Sequence, residues 1–185
     1  MQKYEVEKGK HDFTPNDQPW FTASTKCNFE FILSNSMWFS MEDPDYSGGN
    51  DVADWNKLGA GLTWFFSGNT SRTAVLAWRP SQVEKNAFEI AAYINPASGK
   101  FIAKGITIVR AGEAMQGQLI ITSSYAVFKL KKQGESDDKY SVVQLPFDGL
   151  PWYMSWAKFY RGIGPWFGGN QPSHKHMEFL ADFKY

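Results

Sequence analysis

The stretch AFEIAAYI, residues 87–94, decides the fold class of this chain. Every second position carries an apolar residue: Phe88, Ile90, Ala92 and Ile94. The positions between them include Glu89 and Tyr93. Because successive side chains of a β-strand point to opposite faces of the sheet, this alternation predicts a half-buried antiparallel strand.

The same alternation recurs along the chain, in NFEFIL (28–33) and KHMEFLADF (175–183). Further strand-like runs are GLTWFF (61–66), RTAVLAW (72–78), FIAKGITIV (101–109), QLIITS (118–123), YAVFKL (125–130) and KYSVVQL (139–145). Turn-forming clusters such as SGNTS, NPASGK and KKQGESDD separate them. Roughly ten short strands without helical periodicity predict an all-β protein, an antiparallel two-sheet β-sandwich. No repeat or linker interrupts the pattern, so residues 1–185 are predicted to form one domain.

The charge balance and the hydropathy exclude two classes of partner. Lys plus Arg number 19 and Asp plus Glu number 19, whereas a protein that binds nucleic acid through phosphate contacts is normally basic. The compact basic run of Lys129, Lys131 and Lys132 is followed by Asp137 and Asp138, which predicts a solvated hairpin end. No stretch approaches the roughly 18 apolar residues of a membrane span. The sequence therefore predicts neither a nucleic-acid nor a membrane partner.

The N-terminus and the single cysteine bear on localisation. MQKYEVEKGKHDF contains no apolar core of a signal peptide, which favours a cytoplasmic or virion-associated protein. Cys27 is the one cysteine of the chain, so no intrachain disulfide can form. Its strand-like context, TASTKCNFEFIL, predicts a small buried thiol with no base beside it for nucleophilic chemistry.

Four segments resemble a group of small bacterial and phage-associated domains with the concanavalin-like jelly-roll fold. They are DWNKLGAGLTW (54–64), NTSRTAVLAWRP (69–80), FEIAAYIN with SGKF after it (88–101), and IGPWFGGNQPSHKHMEFL (163–180). The resemblance implies a jelly-roll β-sandwich more than an activity. The wider superfamily is similar to lectins, polysaccharide lyases and glycosidases, which bind sugars on the concave sheet face. This analogy is at the level of the fold.

Aromatic and polar residues on the strand faces predict a carbohydrate site on that concave face. Trp and Tyr rings stack on the apolar faces of sugars, while Arg, Asn and Glu bind the hydroxyl groups. The candidates are Trp78, Arg79, Glu89, Tyr93, Arg161, Trp166 and Asn170. For Trp78 and Trp166 the alternative is packing in the core. A second aromatic cluster, LPWYMSWAKFYRGIGPWF (150–167), predicts a protein or glycan interface if it is exposed.

The acidic stretch EDPDYSGGNDVAD (42–54) approximates a calcium-binding loop. Oxygen-bearing side chains recur at the spacing of a twelve-residue calcium loop, with Gly48 at its sixth position: Asp43, Asp45, Ser47, Asp51 and Asp54. It departs from that pattern in its final Asp, in Asn50 and in Pro44, and no helices flank it. The alternative is a solvated acidic turn. Calcium is the cofactor that the sequence suggests.

The stretch WFGGNQPSHKHMEF (166–179) combines a turn with two histidines. His174 and His176 are two residues apart, so both are predicted to leave the polar face of the last strand. With Glu178 and a ligand from another strand they could bind zinc, but exposed polar surface is the simpler interpretation. The segment is predicted to be primarily a turn before a strand.

Motifs of catalysis are missing from the predicted strands. Jelly-roll glycosidases place carboxylates as E-x-D-x-E, and alginate-lyase-like members carry R-x-E-x-R, Q-x-H and Y-x-K; none stands at the matching positions. The sequence therefore predicts a non-catalytic binding module with carbohydrate as ligand. A phage structural or protein-interaction protein is the alternative, and a polysaccharide-active enzyme ranks third.

Overall fold

The computed structural model describes residues 1–43, 46, 52–66, 71–97, 100–148, 159–168 and 171–185. Within these residues the chain forms eleven strands: β1 (Gln2–Val6), β2 (Lys26–Leu33), β3 (Asn56–Trp64), β4 (Thr73–Pro80), β5 (Ala87–Asn95), β6 (Ile102–Arg110), β7 (Ala114–Ile121), β8 (Tyr125–Lys132), β9 (Ser141–Pro146), β10 (Tyr160–Ile163) and β11 (Met177–Lys184). Two single 3-10 turns lie at Asn35–Met37 and Asp137–Lys139. None of these described elements is a helix of the length and apolarity needed to cross a bilayer.

The strands form two antiparallel sheets. The six-stranded sheet has the order β1-β11-β2-β7-β8-β9, and the five-stranded sheet has the order β10-β3-β4-β5-β6. Each strand pair is antiparallel. The predicted all-β, two-sheet antiparallel sandwich is thereby confirmed.

The core lies between the two sheets and follows the predicted alternation. On β5, Phe88, Ile90, Ala92 and Ile94 are fully buried, as the opening stretch predicts. The six-stranded sheet contributes the alternating residues of β2 and β11 to the same cluster, among them Phe31, Leu33 and Phe179. Cys27 is also fully buried, and this burial raises the pKa of its thiol to about 12. The predicted burial of this thiol is confirmed.

The outer face of the five-stranded sheet carries a second, smaller apolar cluster. Val75, Ala77 and Tyr93 lie there, opposite the main core, and Trp55 and Ile163 pack against them. A face that only met solvent would not bury Tyr93 to 6% exposure. Segments outside the sheet must therefore cover part of this face, and these segments create the candidate site.

The chain after β10 continues alongside β3 and covers this face. Lys57 N–H donates to Trp166 O and Trp166 N–H donates to Lys57 O, both at 2.9 Å. Phe167 N–H donates to His11 O at 2.9 Å, which ties the same segment to the N-terminal region. Gly168 N–H donates to the buried Asn56 Oδ1 at 2.6 Å. These bonds fix the backbone on both sides of Trp166.

Two predictions about polar residues are wrong. His174 does not project from the last strand, because β11 begins only at Met177. Its ring is buried, 4.9 Å from the ring of Phe39, with Nε2 3.8 Å from Asp43 Oδ2. Lys131 is likewise buried instead of solvated, since Nζ donates to Asp137 Oδ1 at 2.7 Å and to Glu135 O at 2.6 Å. For Lys131, partners four and six residues further along the chain satisfy the buried ammonium group.

Candidate functional site

A cleft of about 500 Å³ opens on the outer face of the five-stranded sheet. Strands β3, β4 and β5 contribute side chains from that face: Lys57, Thr73, Val75, Tyr93 and Asn95. The N-terminal region contributes Asp12, Phe13 and Asn16. The chain after Arg161 contributes Gly162, Ile163, Gly164, Pro165, Trp166 and Gly168. Three parts of the sequence that are far apart thus meet in one cleft.

Two of the predicted ligand residues, Tyr93 and Trp166, line this cleft. The Trp166 indole is 38% exposed and stacks on the His11 ring with centroids 5.1 Å apart and planes 12° from parallel. Tyr93 stacks on Phe101 at 5.1 Å and 16°. His11 is held in turn, because its Nδ1 lies 2.9 Å from Phe167 O. The two aromatic rings of the cleft are therefore each oriented by stacking on a neighbouring ring.

Lys57 is the cation of the cleft among the described residues that line it. Its Nζ donates to Trp55 O at 2.9 Å and lies 4.2 Å from the centroid of the Tyr93 ring. Burial lowers the pKa of the Lys57 ammonium, and the nearby Asp54 charge opposes this effect in part. Burial also raises the pKa of the Tyr93 phenol, with a further contribution from Asp54. The phenol is thus neutral at ordinary pH.

Arg79 and Glu89 lie on the same face of the sheet but outside the cleft lining. They are Cα partners across β4 and β5, and Arg79 Nη2 and Nε donate to Glu89 Oε2 at 2.6 and 2.8 Å. The Arg79 guanidinium also lies 4.4 Å from the Trp55 ring centroid. The structure therefore pairs these two predicted ligand residues with each other.

The other predicted ligand residues are Trp78, Arg161 and Asn170. Trp78 is fully buried in the core against Phe39 and Phe88, so the prediction that it contacts a ligand is wrong. It alternates with Arg79 along β4, and the even-numbered side chains of this strand face the core. Arg161 lies on β10, half-buried, with its guanidinium 5.3 Å from the Trp20 ring. Asn170 lies outside the described residues.

Arg161 borders an exposed group of rings that we call the aromatic patch: Trp20, Phe21, Phe65 and Phe66. Trp20 is 71% exposed, and Phe21 and Phe66 are more than half exposed. Phe65 joins them, with ring centroids 6.0, 5.6 and 5.1 Å from those of Trp20, Phe21 and Phe66. Of the predicted aromatic cluster 150–167, Trp152, Tyr153 and Trp156 lie outside the described residues, whereas Tyr160 is buried.

The acidic stretch is only partly within the described residues. Asp45, Ser47 and Asp51 lie outside them, and Asp54 is exposed. The Asp43 carboxylate lies 3.2 Å from Lys175 Nζ and 3.8 Å from His174 Nε2. A calcium ion at Asp43 would compete with the Lys175 ammonium group. Calcium binding by this loop stays a prediction.

His176 meets two carboxylates at the β1–β11 pair. The ligand atoms of Glu5, His176 and Glu178 all lie within 4.8 Å of one another. His176 and Glu178 are therefore neighbours, with Glu5 instead of His174 as the third nearby group, and zinc binding stays a prediction. Lys3 Nζ lies 2.7 Å from Glu5 Oε2 and 3.2 Å from Glu178 Oε2, so an internal cation already balances the two facing carboxylates.

Comparison with solved structures identifies the class to which this sandwich belongs, the jelly roll. The alginate lyase from Klebsiella pneumoniae is similar with a TM-score of 0.57 and 8% identity, over 86% of this chain and 59% of the lyase. An alginate lyase from Alteromonas sp. is similar with a TM-score of 0.44 and 9% identity, over 98% and 78% of the two chains. A congerin II variant has a TM-score of 0.35 and 8% identity, over 99% of this chain and 100% of its own.

At these identities the comparisons define the fold alone, and the similarity to the Klebsiella lyase confirms the predicted jelly-roll sandwich. The chain spans 59% of the length of the Klebsiella lyase. The sequence matches no protein-family model and no curated protein.

Sequence reasoning missed most of the polar cleft residues. Lys57 carries one detectable signal, since it is the single charged residue in the largely apolar and glycine-rich NKLGAGLTW. Thr73 and Asn95 stand at strand ends, where polar residues are unremarkable. Asp12 and Asn16 carry no local signal, because only the tertiary contact between the N-terminal region and residues 165–168 brings them to the cleft.

Proposed function

We propose that this protein binds a carbohydrate chain in the cleft on the outer face of the five-stranded sheet. The observation that carries the proposal is the exposed Trp166 indole, oriented by His11 and by backbone bonds on both sides, in a cleft of about 500 Å³. A flat indole stacks on the apolar face of a sugar ring, and its fixed orientation lowers the entropic cost of binding.

The polar groups of the cleft suit the edges of a sugar. Asn16 is exposed, lines the cleft, and carries a neutral amide donor and acceptor. A mostly apolar cleft with a few polar groups is typical of small-ligand sites, and its volume falls in the usual range of roughly 300–1,000 Å³. This combination supports a sugar better than a wholly apolar ligand.

Binding is a better proposal than glycoside hydrolysis. Hydrolysis needs two carboxyl groups flanking the scissile bond. Among the described residues that line the cleft, Asp12 is the one carboxylate, and Lys57 and Tyr93 are the other ionisable groups. The raised pKa of Tyr93 also disfavours the phenolate that a base role would require. We therefore assign the cleft to a binding module.

Trp166→Ala tests the proposal. The substitution should weaken glycan binding about tenfold, because the loss of a stacking ring costs about 1.4 kcal/mol. A glycan array first identifies bound sugars, and titration calorimetry then compares wild type with the variant. Chain length of the bound polysaccharide is followed in parallel, and a binding module leaves it unchanged.

Trp20→Ala is the matched control, since Trp20 is exposed but lies outside the cleft lining. It should retain the wild-type affinity. A wild type that binds no glycan, or equal affinities of the two variants, would contradict the proposal. A loss of glycan binding caused by Trp20→Ala alone would also contradict it, because the sugar contact would then lie on the aromatic patch and not in the cleft.

A further inference from the structure

We propose that the cleft selects an anionic glycan and that Lys57 recognises its acidic group, a carboxylate or a sulfate. This inference rests on the proposed carbohydrate binding and names the ligand class of the same cleft. The geometry that points to it is Lys57, a lysine that lines the cleft and forms no ion pair within the described residues.

The environment of Lys57 satisfies its hydrogen bonds only in part. An ammonium group has three N–H donors. Within the described residues one of them is taken by Trp55 O at 2.9 Å, and the Tyr93 ring lies 4.2 Å from Nζ. No ion pair of the described residues includes Lys57, whereas Arg72, Arg79, Lys131 and Lys175 each have a carboxylate partner.

The charges around Lys57 leave room for an anion. Asp12 lines the same cleft but is exposed, and Asp54 acts on Lys57 only as a nearby charge and is also exposed. Neither carboxylate is within ion-pair distance of the ammonium group. A carboxylate or sulfate on a sugar bound beside Trp166 would supply the missing partner.

The burial of Lys57 gives the selection its physical basis. A partly desolvated cation without a counter-ion is unfavourable, and the lowered pKa of Lys57 reflects this cost. An anionic ligand gains a charge-assisted hydrogen bond from such a group. The desolvation cost of this bond is low, because the ammonium group has already lost part of its water in the folded protein. A neutral sugar gains much less from the same group.

The experiment compares oligosaccharides of equal length in titration calorimetry: an oligogalacturonate, a sulfated heparin fragment and a neutral cello-oligosaccharide. Wild type should bind at least one of the anionic ligands tenfold or more tightly than the neutral one. Lys57→Met should remove that preference, with a tenfold or greater loss for the anionic ligand and a less than threefold change for the neutral ligand. Which anionic ligand binds distinguishes a carboxylate from a sulfate.

Lys104→Met is the matched control, because Lys104 is an exposed lysine of β6 in the same sheet and outside the cleft lining. It should leave all affinities within twofold of wild type. Asp12→Asn removes the rim carboxylate and should strengthen binding of the anionic ligand severalfold. The Asp12 side chain can be changed safely, since its backbone makes the bridge to Trp166.

The outcomes separate the two proposals. Wild type that binds the neutral ligand as tightly as the anionic ones would overturn the role of Lys57 and leave carbohydrate binding intact. An anionic preference that survives Lys57→Met would overturn it as well. Failure of wild type to bind every sugar on the array and in solution would instead overturn the proposed function itself.

Discussion

Asn56 connects the fold to the site at the scale of one residue. It is 2% exposed, and its Oδ1 accepts the N–H of Gly168, two residues beyond Trp166, at 2.6 Å. A buried backbone donor that loses its partner costs about 1–3 kcal/mol. The side chain therefore both stabilises the fold and holds one wall of the cleft.

Asn56→Ala should lower the free energy of unfolding by about 1–3 kcal/mol and weaken glycan binding, because Gly168 N–H is left without an acceptor. Urea denaturation and calorimetry measure the two effects. Asn28→Ala is the control: Asn28 is exposed and its Oδ1 bonds only to Gln118 Nε2 at 3.0 Å. This variant should stay within about 0.5 kcal/mol of wild type. Equal losses in the two variants would refute the special role of Asn56.

At the scale of the element, β3 pairs irregularly with β4 at a glycine, Gly59. The register between β3 and β4 shifts on both sides of Gly59. Gly59 has φ +108°, and a Cβ placed on it would lie 2.7 Å from Phe183 Cζ. Both the backbone conformation and the ring of β11 require glycine here.

Gly59→Ala should therefore destabilise the protein by about 1–3 kcal/mol from the backbone alone, with a further loss from the contact with Phe183. Gly105→Ala is the matched control, because Gly105 also lies beside a register shift but has open space where a Cβ would stand. That variant should be neutral or slightly more stable. Thermal denaturation ranks the three proteins, and a Gly59→Ala melting temperature equal to wild type would contradict the prediction.

At the scale of the whole molecule, the half-buried ammonium group of Lys57 links stability to pH. Its pKa in the folded protein lies below the ordinary 10.5, so the unfolded chain binds more protons in the interval between the two values. The free energy of unfolding contributed by this group consequently rises as pH increases through the folded-state pKa toward 10.5. Below that interval the full cost of burying the charge is present.

Lys57→Met should accordingly be more stable than wild type near neutral pH, and this advantage should shrink as pH rises toward 10.5. Denaturation of both proteins over a pH series measures the difference. The buried tyrosines Tyr4 and Tyr160, whose pKa values burial raises to about 12, affect both proteins alike and cancel. Lys104→Met should show no such trend, and a constant advantage of Lys57→Met at all pH values would refute the linkage.

The sequence by itself determined the strands, their inward faces and the sandwich. Alternation along AFEIAAYI is a local property, and the residues it assigns to the core, such as Phe88 and Ile90, are buried in the folded protein. The same reasoning placed Tyr93 on the opposite face and Cys27 in the core. It did not place Trp78, because aromatic residues suit a core and a sugar site equally well.

Only the tertiary structure decided the site. The cleft exists because residues 12–16 and 162–168, at opposite ends of the chain, meet over β3, β4 and β5. Whether Lys57, Lys131 or His174 is solvated depends on the segments that cover it, and those segments are distant in sequence or leave the regular strand pattern. Periodicity reports which way a side chain points from its own strand, whereas burial, charge state and ligand access depend on what lies above that strand.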